Sequence, residues 1–108
     1  MIKKYNKLIR DRILKIIKAD EEKPYFRILN KKEYLKEIKK KIIEEARELI
    51  KAKNKKEIIN EIVDIQELID VLISELGLTK LKIQKHQKTK NKRRGGFKKR
   101  LFLMKTEK

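Results

Sequence analysis

"NKKEYLKEIKKKIIEEARELIKAKNKKEIINEIVDIQELIDVLISELG", residues 30–77, decides the fold. Asn30 stands three residues before Glu33, and Leu35, Ile38, Ile42, Ala46 and Leu49 then return at spacings of three and four. That spacing stacks apolar side chains on one face of a helix, so it predicts an amphipathic helix over 31–53. The device then repeats. Asn54 stands three residues before Glu57, and Ile58, Ile62, Ile65, Ile69, Leu72 and Leu76 lead to Gly77, which predicts a second helix over 55–76. Asn followed by Glu at the third position resembles a capping box, in which side-chain oxygens take up the unpaired N–H groups of the first turn. Glycine suits the other end, where the backbone turns left-handed. Only a few residues join the two helices, so they are expected to form an antiparallel hairpin.

The flanks are weaker in signal. Upstream, "YNKLIRDRILKIIK" (5–18) predicts a shorter helix at 9–18, and "EEKPYFRIL" (21–29) a turn and an extended segment set by Pro24. Downstream, Thr79 opens a third, strongly basic helix that stops before Gly95 and Gly96, with only Leu81 and Ile83 as large apolar residues. The tail "GFKKRLFLMKTEK" (96–108) reads as an extended arm or a strand. The whole is expected to be one all-α domain over 1–108, with a short helix and extended segment over 1–30, an acidic hairpin over 31–76 and a basic helix and tail over 79–108.

Composition narrows the function classes. The 108 residues include no cysteine, which excludes disulfides and thiolate metal sites. No apolar run is long enough for a membrane span and the N-terminus has no signal-peptide core, so a soluble, cytoplasmic protein without a membrane role is expected. The net charge of +17 is uneven. Residues 1–43 hold 15 Lys/Arg and 6 Asp/Glu, residues 44–78 hold 5 and 9, and residues 79–108 hold 13 and 1. Such a basic surface attracts phosphates, and the acidic island within it is the exception that needs a reason.

Glu45 and Glu48 lie on one flank of the first helix's apolar stripe, and Glu61 and Asp64 flank the stripe of the second. Each pair is three residues apart and so faces one way. Antiparallel pairing would let the two pairs converge. Four close carboxylates repel and resist desolvation unless a hard cation compensates, and Mg²⁺, or Mn²⁺ in its place, is commonly shared between carboxylates and substrate phosphates. The same spacings also occur on solvated helix faces, where Glu simply pairs with Lys.

Three motifs add a family resemblance. "EEARE" (44–48) followed by "EIVD" (61–64) resembles the signature of the MazG-like all-α nucleoside triphosphate pyrophosphatases. "YNKLIRDRI" (5–13) and "KRRGGFKKRLFL" (92–103) are similar to the phosphoribosyl-ATP pyrophosphohydrolase-like branch. The resemblance implies a helical core completed by another copy, as a homodimer or homotetramer. It further implies Mg²⁺-dependent cleavage between the α and β phosphates of a nucleoside triphosphate or related nucleotide. Carried over, Glu45, Glu48, Glu61 and Asp64 are the catalytic metal ligands, and Glu44 is auxiliary because it points further from the stripe. A metal-activated water is the nucleophile. Lys92 and Arg94, then Lys7 and Arg10, are the candidate phosphate-binding residues. His86, the only histidine, reads as a surface residue, and the aromatics as core or interface packing.

Two other classes fit portions of the chain. Residues 79–108 resemble a basic arm that would bind nucleic acid through its backbone phosphates, although the scarcity of aromatics there disfavours single-strand stacking. A non-catalytic helical-hairpin dimer would use the acids only to balance charge.

Overall fold

The computed structural model describes all residues 1–108. It is all-α, with α1 (Ile13–Ala19), α2 (Lys31–Lys51), α3 (Lys55–Glu75) and α4 (Lys80–Arg94) and no strand. The tail after Gly96 is an extended arm with one turn at its start.

Helix ends follow from their caps. Asn30 Oδ1 accepts from the Glu33 N–H at 2.9 Å and Asn54 Oδ1 from the Glu57 N–H at 2.9 Å. The Glu side chains depart from the simple capping box. Glu57 accepts from the Lys53 N–H at 2.8 Å, one residue before the cap, while Glu33 takes both guanidinium arms of Arg27 at 2.6 and 3.1 Å. That fork fixes the extended segment 22–30 against the start of α2. At the end of α3, Gly77 has φ +70°, the Leu78 N–H donates to the Ile73 carbonyl and the Gly77 N–H to the Ser74 carbonyl. This pair of bonds is a Schellman closure, and it needs the left-handed residue that glycine supplies. Thr79 Oγ1 then caps α4 through the Lys82 N–H at 3.1 Å.

α1 is shorter than the predicted 9–18. It begins only at Ile13, after Arg12, whose side chain makes no cap. No Ser, Thr, Asp or Asn precedes Ile9 closely enough to start the helix there, and Asn6 already turns left-handed with φ 47°. Residues 5–12 instead run as an open segment whose basic side chains reach the hairpin.

α2 and α3 pack along each other. Only residues 52–54 join the two helices, too short a link for a parallel return. The hairpin is therefore antiparallel. Ile38 is the one fully buried side chain. The apolar stripe of α3 proves to be two-sided. Ile65 and Leu72 are half-buried, but Ile58, Ile62, Ile69 and Leu76 are exposed. On a wheel those four fall within roughly 40° of each other, so they form one open apolar strip.

The radius of gyration is 18.5 Å, against about 13 Å for a compact domain of this length. The accessible surface is 11157 Å², against roughly 6,400 Å² for a compact monomer of this mass. An extended protomer with an open apolar strip is consistent with a core completed by another copy.

Candidate active site

The acidic residues of α2 and α3 meet at mid-hairpin. Glu45, Glu61 and Asp64 each bring a carboxylate oxygen within 4.8 Å of the others. α2 supplies the first and α3 the other two, so the site exists only because the helices pair in this register. Glu61 Oε1 accepts from Asn60 Nδ2 at 3.3 Å, whereas Glu61 Oε2 is buried with no hydrogen-bond partner. A buried carboxylate oxygen without a donor is costly unless a proton or a cation supplies the missing charge.

Glu45 shows the same pressure. Its carboxyl is pushed up to about 7, by burial first, then by the adjoining Glu61 carboxyl and by repulsion from Asp64. Lys41, 3.9 Å away, works in the opposite direction. Within the chain, a proton held by Glu45 is what could give Glu61 its donor. Neutralising the cluster by protonation is the alternative to neutralising it with a metal, and three converging oxygens with one left unpaired suit a hard divalent cation.

The other acids sit differently. Glu48 is outside the cluster and more than half exposed, with Lys51 at 3.8 Å. Glu44 lies between Lys41 at 3.2 Å and Lys7 at 3.5 Å. Burial works against its charge, yet the hydrogen bond and charge of Lys41 and the charge of Lys7 hold it below the ordinary carboxylate range.

Basic residues border the cluster on the side of the N-terminal segment. Arg10 Nη2 donates to Asp64 Oδ1 at 2.6 Å. The open segment 5–12 thus lays Lys7 and Arg10 across the rim of the acidic site. Lys92 and Arg94 sit in the last turn of α4, exposed and without an acidic partner, and no side-chain contact links them to the carboxylates. Lys41 is the site residue that the sequence reading missed. Its spacing of three and four from Glu44 and Glu45 was the available signal.

Residues 2–91 match the family model of phosphoribosyl-ATP pyrophosphohydrolase. The chain belongs to that family. The family is part of the MazG-like all-α nucleoside triphosphate pyrophosphatase superfamily, and its members are pyrophosphohydrolases acting on acid anhydrides. The matched span takes in the opening motif, the whole hairpin and most of α4, and ends one residue before Lys92. No curated protein and no solved structure matches the chain. As to membranes, no helix is long and apolar enough to cross one.

Proposed function

We propose that this pyrophosphohydrolase is Mg²⁺-dependent and cleaves the α–β phosphoanhydride of a nucleoside triphosphate-type nucleotide, phosphoribosyl-ATP included, releasing a monophosphate product and pyrophosphate. The observation that carries this reading is the cluster of Glu45, Glu61 and Asp64, within 4.8 Å, with a buried oxygen of Glu61 left without a donor. These three residues would hold the metal. Glu48, one helical turn along α2, is the fourth candidate, and Glu44 the auxiliary one.

A divalent cation bound there supplies Lewis-acid stabilisation of phosphoryl oxygens and acidifies a bound water. The chain's own groups do the rest. Hydrolysis joins the water oxygen to the α-phosphorus and breaks its bond to the bridging oxygen, which departs on pyrophosphate. The attacking water must lose a proton, and Glu48, open to solvent beside the cluster, is a candidate to take it on its carboxylate. Arg10 and Lys7 border the acids, so they can bind the charge that accumulates on the departing phosphates. Lys92 and Arg94 are further phosphate candidates, which would have to come to the site from the end of α4.

The test is pyrophosphate release from a nucleotide panel that includes phosphoribosyl-ATP, with Mg²⁺ or Mn²⁺. Asp64→Asn and Glu61→Gln should each lower release at least about 100-fold, because each removes charge from the metal set. Arg10→Ala should lower kcat more than it raises KM, because the charge it would meet accumulates on the departing phosphates. Release that survives Asp64→Asn unchanged, or none from any nucleotide with either metal, would sink the proposal.

A further inference from the structure

The phosphate site leaves α4 largely unexplained. Its 15 residues include eight Lys/Arg and no acid. Only Lys80 has an acidic partner, Asp70 at 3.1 Å. On a wheel the cations fall on every side, and Leu81 and Ile83 are roughly 160° apart, so the helix has no apolar face. Lys82, Lys85 and Lys88 follow at spacings of three, where like charges repel. A helix this short, neither packed by an apolar face nor relieved by acids, gains most from an anionic partner. A mononucleotide could meet only a few of these cations, since the helix is about 22 Å long.

The distribution of charge identifies the kind of polyanion. An anionic membrane meets a helix from one side and requires an apolar face beneath the cations. α4 has none. A single strand is held largely by stacking on aromatic rings, and α4 carries no Phe, Tyr or Trp and a single imidazole, His86, which makes no platform for successive bases. Phosphates flank a helix on both sides when it lies in the major groove of duplex DNA, which is about 12 Å wide and admits an α-helix of about that diameter. The major groove of A-form RNA is too narrow and deep for this. We infer that α4 is a duplex-DNA backbone-binding element that seats in the major groove without reading sequence, its cations meeting the phosphates of both strands. Thr89 Oγ1 is turned inward onto the Lys85 carbonyl at 3.0 Å, in keeping with a surface that lacks a specific base contact at that position.

The experiment is fluorescence anisotropy of the full chain with a mixed-sequence 20-bp DNA, the same sequence as duplex RNA, and vesicles containing one-fifth phosphatidylserine. DNA should bind at least about 10-fold more tightly than the RNA or the vesicles at 50 mM salt. Its affinity should fall with salt at a logarithmic slope of about −0.9 per phosphate contacted. Replacing Lys82, Lys85, Lys88 and Lys90 by Gln should weaken DNA binding at least about 10-fold and flatten the slope by about 1 for each contacting lysine. Pyrophosphate release and the circular dichroism at 222 nm should stay unchanged, and Lys85→Gln with Lys88→Gln should give an intermediate effect. Asp64→Asn should bind DNA like the parent, which separates this surface from the catalytic site. Binding to RNA or vesicles that equals binding to DNA, wild-type affinity in the four-lysine variant, or no DNA binding at 50 mM salt would overturn the inference.

Discussion

At Glu45 the carboxyl is pushed up to about 7, by burial first and then by its neighbours Glu61 and Asp64. The folded protein therefore holds a proton that the unfolded chain, with an ordinary carboxyl, has already released. A folded pKa above the unfolded one gives a contribution that is fully present below about 4.5 and is lost as pH rises through about 7. Each tenfold difference in proton affinity is worth roughly 1.4 kcal/mol. Melting temperature measured with chelator should fall between pH 5 and pH 8. Glu45→Gln should flatten that fall, and Mg²⁺ at pH 8 should reverse it in the parent; a parent profile that stays level would argue against the clustered carboxylates. Wheel direction brought Glu45, Glu61 and Asp64 forward only together with Glu48, and the motif resemblance is what joined the four into one set. That Glu48 stands apart from the other three was not legible, because a wheel gives direction on one helix and not the register of two. Lys41 escaped for a related reason: it is one of many lysines, and only burial beside Glu45 distinguishes it.

The helices were legible where capping and periodicity agree. α2 and α3 carry both, and their ends lie within two residues of the expectation at each terminus. α1 carries periodicity without a cap, and it lost its first turn. The strength of a cap can be measured at Asn54, whose side chain satisfies the Glu57 N–H. Asn54→Ala should lower unfolding stability by about 1 kcal/mol in a denaturant titration. Asn54→Gly should lower it by only a few tenths, since glycine leaves that N–H open to water. Equal losses would mean that the Glu57 bond to the Lys53 N–H, rather than Asn54, closes this end.

For the whole molecule, the exposed strip of Ile58, Ile62, Ile69 and Leu76 is the feature that matters most. The periodicity that predicted α3 marks both of its apolar sides alike. Ile65 and Leu72 could not be told apart from Ile62 and Ile69 until α2 took its place. Exposed aliphatics of this extent favour association, so the melting temperature should rise with protein concentration. Ile62→Glu should shift the species seen by sedimentation velocity toward a monomer and remove the concentration dependence. A parent protein that sediments as a monomer at every concentration would rule out self-association as the completion of the core.

The short link between α2 and α3, with a cap on each helix, also bears on the order of folding. Contacts between these two helices are close in the chain, and such local topologies form in microseconds to milliseconds. If self-association closes the exposed strip, that step requires an encounter between chains. Refolding should therefore divide into a fast first-order gain of helix and a slower second-order burial of apolar surface. Dilution should slow only the second phase, and the interval between the two is when the chain is most exposed to aggregation.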